Sequence, residues 1–123
     1  MKILLIDDEA AILESLTDFL KFGGHDCEPF INPHEAIDAY KKEKFDVVIT
    51  DYKMPSMNGI EVAQTIRQHN QNAHIIIMSG WDPLEIFDNK IETNNYTFLE
   101  KPFSIVELMD ALSKIEKDIF GKT

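Results

Sequence analysis

Three short runs of consecutive apolar residues constrain this chain more than any other feature: Ile3-Leu4-Leu5-Ile6, Val47-Val48-Ile49 and Ile75-Ile76-Ile77-Met78. Each is shorter than an ordinary helix, rich in branched side chains, and apolar at successive positions rather than alternate ones. A strand points successive side chains to opposite faces, so an unbroken apolar run belongs in a sheet covered on both sides. Amphipathic segments with helical spacing separate the runs. Strand–helix alternation of this kind implies a parallel sheet with helices on both faces and right-handed crossovers.

Strands are predicted near residues 2–7, 27–31, 46–51, 74–79 and 97–101. The second and fifth are more polar than the others, as edge strands should be. The resulting order is 2-1-3-4-5, an open, doubly wound α/β sheet of the flavodoxin-like (βα)5 type. Helix starts are equally legible. Asn32-Pro33-His34-Glu35 supplies an N-cap, a proline at the first helical position and a carboxylate three residues after the cap. Asp82-Pro83-Leu84-Glu85 repeats that pattern, and Ser104-Ile105-Val106-Glu107 is a capping box opening the last helix. Gly23-Gly24 should stop the first helix and Asn94 the fourth.

The 123 residues suffice for one domain with a real core and not for two. No linker or output domain is visible, so residues 1–123 are expected to form a single domain. A formal net charge of −10 lacks the basic footprint of nucleic-acid or anionic-membrane binding. Cys27 stands alone, which excludes an internal disulfide and a thiolate metal cage. The four histidines lack ligand spacing; His69 and His74 read as surface residues or strand starts. No apolar stretch is long enough to span a bilayer, and Met1-Lys2 leads directly into Ile3 without room for a signal peptide. A reducing cytoplasm is the expected location.

In an open parallel sheet, ligands bind beyond the carboxyl ends of the strands, where the strand order reverses. Here that point lies between strands 1 and 3, which end in Asp7-Asp8 and Asp51 on strands about 4.8 Å apart. Ser79 ends the fourth run, and Phe98-Leu99-Glu100 leads into Lys101-Pro102. Taken singly, each residue has a plain reading: Asp7 and Asp8 as helix caps, Ser79 as a strand end, Lys101 as a surface lysine, Phe98 as core, Met54 and Met57 as loop packing. Taken together they are costly as architecture. Adjacent carboxylates repel one another and raise each other's pKa unless a cation neutralises them. A hard divalent ion suits them, magnesium best because it takes few carboxylates and completes its shell with water and phosphate oxygens; manganese is the alternative. Asp51 can then attack phosphorus, Lys101 can balance the resulting charge, and the Ser79 hydroxyl can donate to a phosphoryl oxygen.

Asp7-Asp8-Glu9, the segment from Asp51 through Met54-Pro55 to Asn58-Gly59, Ser79-Gly80 and Phe98-Leu99-Glu100-Lys101-Pro102-Phe103 together resemble a response-regulator receiver domain of two-component signalling, over essentially the whole chain. The resemblance implies that Asp51 is the phosphoacceptor. It implies that Asp8 and Asp51 ligate magnesium directly with the backbone carbonyl of Lys53, while Asp7 acts through a coordinated water. Lys101, the Ser79 hydroxyl and the backbone amides of Lys53 and Gly80 would bind the phosphoryl group, and Lys101-Pro102 would be a cis bond. Ser79 and Phe98 would form a switch, the ring turning inward as the hydroxyl moves to the phosphate. That movement would reshape the face made by the fourth helix, fifth strand and fifth helix, an output or dimerisation surface to which Ile86, Phe87 or Ile91 could contribute. A histidine kinase or histidine phosphotransfer protein would donate the phosphoryl group, docking near Ala10, Ala11, Leu13 and Glu14 of the first helix.

The chain departs from the family pattern in places. Asn94-Asn95 replaces a common Gly-Ala pair, and Phe98 lacks the hydroxyl of the tyrosine often found there. Lys53 and Trp81 flank the line of approach to phosphorus and are candidate access modulators. Other classes fit less well. A phosphohydrolase using an aspartyl phosphate would place an acid where Lys53 stands. A flavin or nucleotide module would want a glycine-rich loop after the first strand. A degenerate receiver would lack part of the site set. The chain reads as a phosphorylation-switched signalling module rather than a turnover enzyme, either free-standing or the receiver piece of a longer regulator.

Overall fold

The computed structural model describes residues 1–80 and 96–121. Within them the elements follow as β1 (Lys2–Ile6), α1 (Ala10–Phe22), β2 (Asp26–Phe30), α2 (Pro33–Lys42), β3 (Val47–Asp51), α3 (Gly59–His69), β4 (His74–Ser79), β5 (Thr97–Glu100) and α4 (Ile105–Phe120). All five strands are parallel, in the order β2-β1-β3-β4-β5 expected from their polarity. β1, β3 and β5 differ from the sequence expectation by one residue at one end, and β2 is displaced by one residue at both. The residues at those margins keep single backbone bonds to the sheet: Asp7 N–H donates to the Phe30 carbonyl at 3.2 Å, Asp46 N–H to that of Lys2 at 2.8 Å and Lys101 N–H to that of Ser79 at 2.7 Å.

The unbroken apolar runs divide between two cores, as residues of alternating direction must. Leu4, Ile6, Val48, Ile75 and Ile77 face the layer that holds α2 and α3, where Ala36, Ile37, Val62 and Ile66 meet them. Ile3, Leu5, Val47, Ile49, Ile76 and Met78 face the opposite layer, against Leu13 and Leu20 of α1 and Leu108, Leu112 and Ile115 of α4. Each fully buried aliphatic side chain contributes roughly 1.5–3 kcal/mol over its exposed state. The central strands therefore hold the loops that follow them on a stiff base.

The helix signals act as expected where they are described. The Asn32 side chain accepts from the N–H groups of His34 and Glu35, and Ser104 forms a reciprocal capping box with Glu107. A second capping box, Asn58 with Glu61, opens α3 immediately after the β3 loop. α1 ends at the glycine pair, with the left-handed turn at Gly24 (φ 90°). His69 is the exposed last residue of α3 and His74 the first of β4. Met54 is buried and Met57 packs against the same core, so both shape the loop after β3. The helix expected from Asp82, its stop at Asn94, and the readings of Trp81, Ile86, Phe87, Ile91 and Asn95 lie outside the described residues.

Candidate functional site

The carboxyl ends of β1, β3, β4 and β5 converge on a cleft of about 460 Å³ lined by Asp8, Glu9, Asp51, Lys53, Ser79 and Lys101, among others. The register explains the convergence. Ile6 pairs with Thr50, Asp51 with Met78 and Ser79 with Glu100, so the residues that leave each strand do so at nearly one level. Asp7, Asp8 and Asp51 each bring a carboxylate oxygen within 4.8 Å of the others. Asp7 is fully buried, Asp51 is 6 % exposed, and Asp8 is half-buried beside them.

Lys101 reaches this trio from the far side of β4. Its Nζ donates to Asp51 Oδ1 at 2.9 Å and lies 3.9 Å from Asp7 Oδ2. Burial pulls the Lys101 amine down, but the hydrogen bond to Asp51 and the charges of Asp51, Asp7 and Glu9 outweigh it and hold the group above its ordinary value. The Lys101–Pro102 peptide is cis. Ser79 is buried, and its carbonyl takes the Lys101 N–H, which fixes the lysine backbone to the end of β4.

Asp7 carries the clearest electrostatic cost. Its Oδ1 accepts the Glu9 N–H at 2.9 Å, while among the described residues the buried Oδ2 has no hydrogen-bond partner. Burial pushes its pKa up to about 6; the Glu9 bond lowers it, and the negative charge of Asp51 raises it further. Among the described residues the Lys101 ammonium is set against three clustered carboxylates, which leaves negative charge in excess. An orphaned carboxylate oxygen, two further acids within reach and a cleft open to phosphate oxygens fit a small divalent cation.

The structure brings together Asp7, Asp8, Asp51, Lys53, Ser79, Gly80 and Lys101. Phe98 stands apart from the cleft. It is half-buried, packs against the α2–α3 core and pairs in register with Ile77, two residues before Ser79. Leu13, placed by the family resemblance on a docking face, is 5 % exposed and belongs to the core, because it falls on the inward stripe of α1 with Thr17 and Leu20. Ala10, Ala11 and Glu14 are exposed. Trp81 lies outside the described residues.

Gly59 has a structural role that sequence reading did not assign. Its N–H donates to the Tyr52 carbonyl at 2.7 Å, and a Cβ there would lie 2.6 Å from the Asp51 carbonyl oxygen and 3.0 Å from Tyr52 Cα. Only a residue without a side chain lets α3 begin directly against the end of β3. The Asn58-Gly59 pair was visible in the sequence; the closeness of helix to strand was not.

Comparison with known proteins agrees with this geometry. The family model for the response regulator receiver domain matches residues 3–113, and the chain belongs to that family. It is 33 % identical to sporulation initiation phosphotransferase F of Bacillus subtilis over 113 residues, covering 92 % of this chain and 91 % of that one. It is 32 % identical to the chemotaxis protein CheY of Thermotoga maritima over 117 residues, covering 94 % and 98 %. Among solved structures, response regulator TrrA of Thermotoga maritima in complex with Mg(2+)-BeF superposes with a TM-score of 0.82 at 29 % identity, covering 93 % of this chain and 97 % of that one. TrrA has also been solved in complex with the histidine kinase ThkA; that chain matches with a TM-score of 0.79 at 28 % identity and the same coverage. The chain is thus a receiver domain of the two-component signalling class. Among the described residues no helix is long and apolar enough to cross a membrane.

Proposed function

We propose that this receiver is a magnesium-dependent phosphoacceptor that takes a phosphoryl group from a phosphohistidine onto Asp51 and uses it to switch a binding surface. The observation that carries the reading is the setting of Asp51: a half-buried acid and a fully buried one with carboxylate oxygens within 4.8 Å, and the Lys101 ammonium at 2.9 Å. Asp7, Asp8 and Asp51, with the Lys53 carbonyl, are the groups that would hold magnesium. When bound, the ion supplies charge neutralisation for the carboxylates and for the transferring phosphoryl oxygens. Nothing in the donor set favours manganese.

In the transfer, a carboxylate oxygen of Asp51 forms a bond to phosphorus as the phosphorus–nitrogen bond of the donor breaks, and the electron pair leaves with the imidazole. Lys101 is already fixed beside Asp51 and balances the added charge without reorganising. The Ser79 hydroxyl and the backbone amides of Lys53 and Gly80 donate to the phosphoryl oxygens, and Lys53 and Trp81 set how readily water approaches. As the Ser79 side chain turns to the phosphoryl group, the Phe98 ring follows into the space beside it, and the surface around β5 and α4 changes its partner preference. The module undergoes self-catalysed phosphorylation and dephosphorylation but turns over no separate substrate. A histidine kinase or a histidine phosphotransfer protein of the cytoplasm is the donor, and an output protein, a second copy or a further phosphotransferase reads the switch. Residues 1–123 act as one receiver unit.

Incubation with magnesium and a small acyl phosphate, followed by intact-mass measurement, tests the reading. One acid-stable, base-labile phosphoryl adduct is expected, absent from Asp51→Asn and absent when magnesium is chelated. A protein that binds magnesium and beryllofluoride yet gains no adduct would sink the phosphoacceptor reading, and steady release of phosphate from an organic ester would replace it with a hydrolase.

A further inference from the structure

Phe98 does not stand alone on its face of β5. Tyr96, the residue just before β5, and Phe98 both pack against the α2–α3 core. Their rings meet edge to face, with centroids 6.4 Å apart and planes at 87°, a favourable aromatic geometry. Arg67, from the last turn of α3, sits over the Tyr96 ring with Cζ 5.1 Å from its centroid. The guanidinium is itself anchored, because Arg67 Nε donates to the Ala73 carbonyl at 2.9 Å, just ahead of β4. A fixed cation, the ring it covers and the switch ring thus form a continuous stack from α3 to Phe98.

The direction of the stack matters. Tyr96 lies just ahead of β5, towards the amino ends of the strands, whereas Ser79 pairs with Glu100, two residues beyond Phe98. A Phe98 ring that turns towards Ser79 therefore moves away from Tyr96 and gives up the edge-to-face contact. That contact favours one of the two ring positions only, so it biases the equilibrium between them.

We propose that Arg67 and Tyr96 are positioning residues that latch Phe98 in its unphosphorylated orientation and so set the threshold of the switch. The proposal rests on Phe98 being the moving part. Interactions of the size known for aromatic pairs and cation–π contacts imply that releasing the latch tightens binding of a phosphoryl mimic by roughly threefold to tenfold.

The test uses magnesium and beryllofluoride as the probe, with affinity measured by calorimetry and Phe98 followed by fluorine NMR in protein labelled with 4-fluorophenylalanine, its signal assigned with Phe98→Leu. Arg67→Met and Tyr96→Leu should bind the probe more tightly than the parent protein. Their Phe98 signals should lie part-way towards the bound position before any probe is added. Tyr96→Phe, which keeps the ring, should restore parental behaviour, and Arg67→Lys should fall between. General damage to the fold would weaken binding, so tighter binding separates a latch from a merely structural role. Equal or weaker affinity in variants that melt cooperatively, with a parental Phe98 signal, overturns the latch while leaving the switch intact. A parent protein that binds the probe with no movement of its Phe98 signal overturns the switch reading and the latch with it.

Discussion

Lys101 Nζ lies 2.9 Å from Asp51 Oδ1, and the same ammonium is 3.9 Å from Asp7 Oδ2, so one cation serves two buried carboxylates, one at the end of β3 and one just beyond β1. Replacing it by methionine keeps most of the length of the side chain and removes the charge. Phosphorylation of Asp51 should slow by about 10²–10³, the usual cost of losing one preorganised group that meets developing charge. Without magnesium the variant should also melt at a lower temperature than the parent, because three acids then share no cation, and saturating magnesium should recover most of that loss. A Lys101→Met protein phosphorylated at the parental rate would show that the ion pair is architectural only.

Asp7 gives the site a pH signature. Its pKa is pushed from 3.8 to about 6 in the fold, chiefly by burial, so folding takes up a proton across that window. The stability penalty is absent below the unfolded value, grows between pH 3.8 and about 6, and is complete above; a shift of this size corresponds to roughly 3 kcal/mol as an upper bound. In chelator, Asp7→Asn should therefore be more stable than the parent at pH 7, and the advantage should shrink towards pH 4. Magnesium should raise the melting temperature of the parent strongly and of the variant weakly. Thermal melts across pH, with and without magnesium, measure both; an advantage independent of pH would refute the account.

Two glycines flank the site with opposite tolerances. A Cβ on Gly59 would meet the backbone of Asp51 and Tyr52 at 2.6 and 3.0 Å, and backbone cannot step aside as a side-chain tip can. Gly59→Ala should cost roughly 1–3 kcal/mol as α3 is forced off β3, and should slow phosphorylation by displacing Asp51. Gly80→Ala adds a methyl group with nothing within 4 Å among the described residues and keeps the amide, so its stability should stay within about 0.5 kcal/mol of the parent. Denaturant unfolding of the pair provides the contrast.

The sequence carried the fold through local signals: apolar runs long enough for two buried faces, polar edge strands, and caps such as Asn32 and Ser104. Asp7, Asp8, Asp51, Ser79 and Lys101 were legible as a cluster because strand order alone brings their strand ends to one edge. What stayed hidden depends on distances between elements. The orphaned Asp7 oxygen, the closeness of Gly59 to Asp51, and the Arg67–Tyr96–Phe98 stack each join residues from separate segments whose contact no periodicity encodes. Leu13 shows the converse: its burial follows from helical phase with Thr17 and Leu20, a local rule that the family resemblance obscured.

Ser79 links the site's chemistry to its proposed movement through two different groups. Its carbonyl takes the Lys101 N–H at 2.7 Å, a backbone bond that any residue can make, so Ser79→Ala leaves Lys101 in place beside Asp51. The lost hydroxyl removes one donor to the phosphoryl group and, on the proposed mechanism, the part that moves. Ser79→Ala should still acquire the Asp51 adduct, slowed by no more than about 10²-fold, the lower end of the cost of losing one hydrogen-bond donor. Its Phe98 signal, by contrast, should stay near the unphosphorylated position when the adduct forms. Mass spectrometry and fluorine NMR on the same sample read the two effects separately. If the Phe98 signal moves as far in Ser79→Ala as in the parent, the hydroxyl does not couple the phosphoryl group to the ring.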